Sequence, residues 1–464
     1  MNNTGAVTFI NKFYSFTHKK KILIISLMPV ILMVAHLEKR PLNHEGGQSN
    51  IRNLADKVDW WGSILPIITP YKDYAAESFL VSVIALSIFL IGSILIFQNS
   101  TIKGYKLFIS YILIFIGFNF VIANSRDSFV LSFATLNFGL ILLYKNSRSR
   151  WVLTLIAACL PIMVSFKPLT SIAIVTLLIS ILLDARQVTV TKKIMLVTSI
   201  SILISVFGVA LDKGLAKITN LKESFPEQQP IYQDLASFYC WSEDPTTKLT
   251  ALNALKPVLA TSSPSDICLT LRPNSWVYLV SGGNFLDQKI DAPLISKINS
   301  KDLNWVRNGW IKTIMNDPVD YIQFKLISAT QVITVGNPFK YPLLITSDSY
   351  EDSKLGLTDY ELPEALSLVS MDFWKLLHKI LSIIGSTYLF SITFMFLILF
   401  ISLTNFKSFR LNKSSIALVF ICNVFNIMLL SIGFVSDEAR YVFPIVLLTY
   451  LFLSVQENKI SNTV

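Results

Sequence analysis

Apolar runs long enough to cross the hydrocarbon core of a bilayer recur along this chain, and they constrain its fold more than any other feature. A transmembrane helix needs about 17–25 mostly apolar residues. The runs lie near residues 21–36, 77–98, 105–123, 128–144, 151–166, 168–184, 193–211, 376–402, 414–434 and 441–455. Because lipid offers no partners to backbone polar groups, each spanning run must be helical. The sequence therefore predicts an all-α polytopic membrane protein with about ten transmembrane helices.

The composition supports this class of protein. Of the 464 residues, 52% are hydrophobic and only 15% are charged, whereas soluble domains carry about 25% charged residues. The net charge is +10, and in a membrane protein such an excess reports orientation, because Lys and Arg gather on the cytoplasmic side. No run collects basic residues with interleaved aromatics, so we expect no nucleic-acid partner.

Basic residues recur at every second connection between the predicted helices. They are Lys19, Lys20, Lys21, Lys103, Lys106, Lys145, Arg148, Arg150, Arg186, Lys192, Lys193, Lys407, Arg410 and Lys413. By the positive-inside rule this side of the membrane is cytoplasmic. We therefore expect a multi-pass protein of the bacterial inner membrane with both termini in the cytoplasm.

The longest connection lies on the opposite side, between the seventh and eighth predicted helices, and spans residues 213–375. It is too long for a structureless loop, so we expect a small, mostly helical, periplasmic or extracellular subdomain. It separates an N-terminal membrane domain (1–212), which has a long first outer loop (37–76), from a C-terminal one (376–464). Cys240 and Cys268 both lie in it, and an oxidising compartment would favour a disulfide between them.

Three cations stand beside the predicted hydrocarbon on this outer side: Arg126, Lys167 and Arg440. One interpretation is that each is an interfacial anchor paired locally, Arg126 with Asp127 and Arg440 with Glu438. The other is a shared anionic ligand, because the positive-inside bias disfavours cations on this face. Phosphate is the natural candidate, since Arg grips it through two parallel hydrogen bonds.

The first outer loop supplies candidate catalytic carboxylates, Glu45, Asp59 and Asp73. Glu45 precedes Gly46 and Gly47, whose free backbone allows close approach to a ligand. Asp73 stands just before the second predicted helix. A carboxylate within hydrogen-bond reach of an acceptor hydroxyl acts as a general base. Most surface carboxylates are simply solvated, so both interpretations stay open for each residue.

The layout and several short motifs resemble the GT-C superfamily, polytopic glycosyltransferases that take sugars from polyprenyl-phosphate carriers. The first-loop segments HEGG (44–47) and TPYKD (69–73) resemble the pattern of the protein mannosyltransferase and aminoarabinose transferase branch. Segments similar to those of bacterial relatives are IYQDLA (231–236), WIKTI (310–314) with Asp317, Pro318 and Tyr321, and EARYVFP (438–444).

The resemblance implies an enzyme that moves a hexosyl or pentosyl unit from a polyprenyl-phosphate donor to an extracytoplasmic glycan or lipid acceptor. The implied setting is cell-surface polysaccharide or lipopolysaccharide modification, with membrane lipid around the helices. Glu45, Asp73 and Asp59 are then catalytic, Arg126, Lys167 and Arg440 hold the donor phosphate, and Asp127 and Tyr441 complete the site. These cations could stabilise the phosphate without a metal, or a divalent cation (Mg²⁺ or Mn²⁺) could share its charge.

Three other classes of protein remain as alternatives. An O-antigen polymerase or ligase is also polytopic and depends on arginines of its outer loops. A transporter or flippase places ionisable residues or helix breaks deep in its helices, whereas the charges here stand at the outer boundary. A receptor-like or assembly protein would use the outer subdomain only to bind a partner.

Overall fold

The computed structural model describes fifteen stretches of the chain and is almost entirely helical within them. They are residues 20, 22–28, 74–100, 102, 105–122, 126–183, 189–218, 228–259, 264–271, 283–285, 288–290, 300–334, 392–404, 413–433 and 443–455. This confirms the all-α part of the predicted fold class, while the number of membrane crossings stays a prediction. The strands of the described part are β1 (Gly283–Phe285) and β2 (Gln288–Ile290), which pair antiparallel.

Helices of the first half of the chain each cover one predicted apolar run. They are α1 (Tyr74–Gln98), α2 (Tyr105–Ile122), α3 (Arg126–Ser147), α4 (Arg150–Phe166), α5 (Pro168–Leu183) and α6 (Val190–Ile218). Residues 22–28 are also helical, inside the first predicted run. The predicted end of the seventh run at 211 is too early, because Asp212 and Lys213 interrupt the apolar run but not the helix.

A second group of helices lies within the long predicted outer segment. It comprises α7 (Gln228–Trp241), α8 (Pro245–Leu255), a 3₁₀ turn (Lys256–Val258), α9 (Ser265–Thr270), α10 (Ser300–Asn316) and α11 (Pro318–Thr334). The C-terminal helices are α12 (Ile392–Thr404), α13 (Lys413–Gly433) and α14 (Phe443–Ser454).

The chain divides into two compact units. We call the first the bundle unit (Met1–Glu223, Gly336–Asn423 and Ala439–Val464) and the second the insert unit (Ser224–Val335 and Val424–Glu438). Most of the insert unit therefore falls within the segment that the sequence assigns to a folded subdomain, and its described residues are mostly helical.

Glycines bring α1 and α3 of the bundle unit unusually close. A Cβ added at Gly92 would lie 2.5 Å from the backbone N of Leu136, and one added at Gly139 would lie 2.7 Å from the Gly92 carbonyl oxygen. Small residues at such contacts let helix backbones approach, as is typical of helices that pack in lipid. On α6, a Cβ at Gly208 would meet the Val164 side chain of α4 at 2.4 Å in the same way.

By length and composition, two segments among the described residues could cross a membrane unaided, Ser128–Ser147 and Thr191–Leu215. Further helices are apolar but shorter, including α4, α12 and α14. The long span within α6 exposes large apolar side chains along its length, among them Met195, Leu203, Val206 and Phe207.

The insert unit has its own apolar core, built mainly from α7, α8 and α10 and centred on Leu235, Phe238, Ala251, Leu255, Ile267 and Val306. Asp244 caps α8, because its carboxylate accepts hydrogen bonds from the backbone N–H groups of Thr246 (3.3 Å) and Thr247 (2.8 Å). Pro245 occupies the first helical turn, where a missing N–H costs nothing.

Cys240 of α7 and Cys268 of α9 form a disulfide, with their Cα atoms 5.4 Å apart. The sequence predicts the same disulfide for a chain whose outer segment faces an oxidising compartment. Residues 240 and 268 thereby attach the short helix α9 to the longer helices of the insert unit.

Candidate functional site

The start of α3 and the end of α4 lie at the same end of the bundle unit, which we call the site end. The two helices are joined by only two residues and run antiparallel. Phe129, near the start of α3, stacks on Phe166, the last residue of α4, with ring centroids 4.9 Å apart. Ser171 of α5 also belongs to this end, since its Oγ donates to the Met163 carbonyl at 2.9 Å.

The end of α2 and the start of α14 meet at the site end as well. Phe120 of α2 and Phe443 of α14 have ring centroids 4.7 Å apart. Ser128 of α3 donates its hydroxyl to the Phe120 carbonyl at 3.2 Å. At their other ends α2 and α14 meet again, where Ser110 and Ser454 share a hydrogen bond of 2.9 Å.

Helix α1 runs parallel to α3, so it also begins at the site end. The two helices touch at Gly92 and Leu136 and again at their last turns, where Asn146 Nδ2 donates to the Asn99 carbonyl at 3.0 Å. Helix α5 runs antiparallel to α4, and six residues separate α5 from α6. Helix α6 thus returns parallel to α4, which it contacts at Gly208 near the end of α4. It therefore ends, at Ile218, on the same side as Phe166.

Three of the predicted site positions occupy this end. Arg126 and Asp127 are the first two residues of α3, and their side chains lie outside the description. Lys167 separates α4 from α5, is half-buried, and accepts through its carbonyl from the Ser171 N–H at 3.1 Å. The fold thus brings the backbones at 126 and 167 to one end, while their role as phosphate ligands stays a prediction.

The remaining predicted site residues, Glu45, Asp59, Asp73, Arg440 and Tyr441, lie outside the described residues. Two of these segments are nevertheless joined in sequence to the site end. Asp73 directly precedes α1, and Tyr441 stands two residues before the start of α14. The catalytic and donor-binding roles of these residues stay predictions.

The opposite end of the bundle unit, which we call the basic end, collects cations. Its described members are Lys106, Lys145, Arg148, Arg150, Lys192 and Lys193. Arg148 ends α3 in the left-handed conformation (φ 55°), and its N–H donates to the Tyr144 carbonyl at 2.8 Å. Its guanidinium carbon stands 6.0 Å from the centre of the Tyr144 ring.

Within the insert unit, two of the segments that carry the family resemblance meet at a buried ion pair. Asp234 Oδ1 lies 2.7 Å from Lys325 Nζ, and both side chains are buried. Trp310 Nε1 donates to Asp234 Oδ2 at 3.1 Å. The ring centre of Tyr321 stands 5.5 Å from Lys325 Nζ. Asp234 comes from IYQDLA, whereas Trp310 and Tyr321 come from the segment that begins with WIKTI, so this cluster joins the two.

Electrostatics at the cluster follow from its burial. Loss of solvent raises the pKa of Asp234, against which Lys325 and the Trp310 N–H favour the carboxylate. Burial, with the nearby Asp234 charge, raises the pKa of Tyr321. The cluster joins α7, α10 and α11, and removing one partner of such a pair leaves a buried charge uncompensated. Its geometry therefore suits a structural role within the insert unit.

Sequence reasoning missed Lys325 as a partner of Asp234. The available signal was its helical spacing, because Tyr321 and Lys325 are four residues apart on α11 and share a face. A lysine that shares a helix face with Tyr321, a residue of a quoted segment, indicates that its charge is paired with a buried acid.

The described residues contain no group of three or more His, Cys, Asp or Glu side chains that could hold a metal ion. Around the start of α11, burial raises the pKa of Asp320 and the neighbouring Asp317 and Glu243 raise it further, while a hydrogen bond from Ser242 lowers it. Asp317 Oδ1 accepts from the Asp320 N–H at 3.0 Å, which makes it a helix cap.

Compared with known proteins, the chain matches no family model, no curated protein and no solved structure.

Proposed function

We propose that this protein is a multi-pass membrane glycosyltransferase that moves a sugar from a polyprenyl-phosphate donor to an extracytoplasmic glycan or lipid acceptor. The observation that carries the proposal is the common location of residues 126 and 167 at the site end, with Asp73 and Arg440 adjoining helices that begin there. The motifs that resemble the GT-C superfamily, in its protein mannosyltransferase and aminoarabinose transferase branch, add the class of reaction.

Membrane insertion is supported by the helices themselves. Two described segments could cross a bilayer by length and composition, and α6 exposes an apolar surface that suits contact with lipid. The basic end then faces the cytoplasm by the positive-inside rule. We infer about ten crossings of a bacterial inner membrane, with the site end on the extracytoplasmic side.

The proposed reaction is a displacement at the anomeric carbon. The acceptor hydroxyl oxygen bonds to that carbon as the bond to the phosphate oxygen breaks, and the polyprenyl phosphate leaves with the bonding electrons. Glu45 takes the hydroxyl proton as general base, with Asp73 and Asp59 as the other candidate carboxylates. Arg126, Lys167 and Arg440 stabilise the charge that develops on the departing phosphate. Asp127 and Tyr441 adjoin Arg126 and Arg440 in sequence and orient these ligands.

A divalent cation would share the charge of the donor phosphate if the reaction uses one. The acidic groups of the proposed centre, which are the first-loop carboxylates and Asp127, would hold this ion. Transfer measured with added Mg²⁺ or Mn²⁺ and with a chelator therefore belongs to the same experiment.

The proposal is tested by incubating the purified full chain, in lipid nanodiscs, with a panel of polyprenyl-phosphate sugars and glycan or lipid acceptors. Mass spectrometry should detect a glycosylated acceptor and released polyprenyl phosphate. Donor that binds but is not transferred to any acceptor of the panel would favour a polymerase or ligase instead. If no donor of the panel binds, the proposed function is wrong.

A further inference from the structure

Helix α11 carries its charges on the inside and its apolar side chains on the outside. Asp320 is half-buried and Lys325 is buried, whereas Val319, Ile322 and Leu326 are 61%, 57% and 60% exposed. This reverses the usual pattern of a surface helix, in which the charged face meets water.

The exposed apolar residues of α11 form one continuous face. At 3.6 residues per turn, less than half of the helix circumference holds four apolar residues, Val319, Ile322, Leu326 and Ile327, with the uncharged Gln323 among them. We call these five residues the apolar arc. The inward face holds Asp320, Tyr321, Phe324, Lys325 and Ser328. The described exposed residues of α11 thus include no charge at all.

Packing fixes which face of α11 is turned outward. Lys325 is held by Asp234 at 2.7 Å, and Phe324 lies edge-on to Phe238 with ring centroids 5.2 Å apart. Rotating the helix to bury the apolar arc would expose Phe324 and break the ion pair. The arc is therefore a fixed outer surface of the insert unit.

The neighbouring helix α10 adds cations and apolar groups. Arg307 and Lys312 are exposed, as are Trp305, Ile311 and Met315. No acidic residue occurs among the described exposed residues of α10 and α11. An apolar face beside exposed cations and a tryptophan is complementary to the headgroup and upper acyl region of a bilayer.

We propose that the apolar arc of α11 inserts into the surface of the lipid bilayer, with Arg307 and Lys312 at anionic headgroups. The inference requires a membrane location but not glycosyl transfer. Its consequence is that the insert unit, besides being tethered to the bundle unit by the chain, lies on lipid through α11 itself.

The test uses the full chain in lipid nanodiscs with a benzophenone amino acid placed at Gln323 or Leu326. Leu249 of α8 is the matched control, because it is an apolar residue of the same unit that is equally exposed. After irradiation, lipid adducts identified by mass spectrometry should be several-fold more abundant at 323 and 326 than at 249. Nanodiscs with anionic lipid should give more adduct than zwitterionic ones.

Contrary results are equally specific. Adducts at 323 and 326 to peptides of the same chain, to a second copy or to another protein would overturn the proposal, as would equal lipid labelling at 249. Folding of each variant is checked by its elution profile and by the Cys240–Cys268 mobility shift on reduction. If the variant at 326 misfolds, position 323 decides the matter, since Gln323 is already a polar, exposed side chain.

Discussion

The two ends of the bundle unit differ in the signs of charge that they hold. Among the described residues, the basic end carries six cations and no acid, from Lys106 at the start of α2 to Lys193 at the start of α6. The described helix termini at the site end mix both signs: Glu77, Asp127 and Asp212 with Arg126, Lys167, Lys213 and Lys217.

This difference separates two causes of charge at a membrane boundary. Cations that only set orientation gather on one side without acids, as at the basic end. Cations on the extracytoplasmic side, where the positive-inside rule disfavours them, need another explanation. In the proposed reaction they bind the phosphate of the donor. Substitutions at the two ends should therefore have unlike consequences.

The largest expected effect is on catalysis. Glu45→Gln removes the proposed general base and should lower the rate of sugar transfer by about 10²–10⁴-fold, with donor affinity unchanged. Arg150→Ala, at the basic end, should transfer at the normal rate in the same assay. Normal transfer by Glu45→Gln would move the assignment to Asp73 or Asp59, and a loss in Arg150→Ala would remove the distinction between the ends.

A large effect on stability is expected in the insert unit, whose buried ion pair belongs to neither end of the bundle unit. It serves as a comparison for the substitutions at those two ends. Asp234→Ala leaves Lys325 buried without a counter-ion and should destabilise the folded protein by about 3–5 kcal/mol. Thermal unfolding in detergent measures this loss. Replacing both residues, as Asp234→Leu with Lys325→Met, should recover most of it. If the single variant unfolds like the wild type, the cluster has no structural role.

Donor binding should respond only at the site end. Arg126→Ala and Arg440→Ala each remove charge-assisted hydrogen bonds worth about 1.5–3 kcal/mol, so the donor should bind roughly 10–150-fold more weakly. Arg126→Lys, which keeps the positive charge but not the planar guanidinium with its paired N–H donors, should recover part of the affinity. Equilibrium binding of a labelled polyprenyl-phosphate sugar measures the difference, and unchanged affinity in Arg126→Ala would exclude it as a ligand.

The alignment of the two ends depends on close contact between α1 and α3. Gly139→Ala would place a Cβ 2.7 Å from the Gly92 carbonyl oxygen, and such overpacking typically costs about 1–3 kcal/mol. Gly214→Ala is the matched control, because its added Cβ meets no atom within 4 Å. Equal melting temperatures for the two variants would show that α1 and α3 do not pack as described.

The smallest expected effect concerns pH and the cap of α8. Hydrogen bonds from Thr247 and Thr246 lower the pKa of Asp244. Its stabilisation is therefore present above the unfolded pKa of about 3.9 and is lost as the pH falls through the lower, folded pKa. The melting temperature of Asp244→Asn should be slightly below that of the wild type at pH 7, and the gap should narrow as the pH falls below the unfolded pKa of about 3.9. A difference in melting temperature that is as large in acid as at pH 7 would contradict stabilisation by the ionised Asp244 cap.

Helix positions could be predicted from the sequence because the apolar runs determine them directly. The run at 151–166 is the helix α4, and six of the basic residues predicted at alternate connections recur at one end of the described bundle. The mutual approach of α1 and α3 could not be predicted in the same way. Gly92 and Gly139 look like ordinary helical glycines until the facing backbone is known.

The candidate site was predictable only in part, for a related reason. Lys167 stands between two apolar runs, so its place at a boundary follows from spacing alone. Lys325 was not identified, because nothing local to residue 325 indicates Asp234, which is 91 positions earlier on another helix. Pairings between distant segments depend on packing, which helical periodicity does not encode.

We propose that the site end faces the extracytoplasmic side and the basic end faces the cytoplasm. This orientation is tested by labelling single cysteines with a membrane-impermeant maleimide in intact spheroplasts, in a chain whose Cys159 and Cys422 are replaced by serine. Lys213→Cys and Arg150→Cys are suitable because both positions are exposed cations at opposite ends. Residue 213 should be labelled at once and residue 150 only after permeabilisation. The reverse order, or equal labelling of both before permeabilisation, would contradict it.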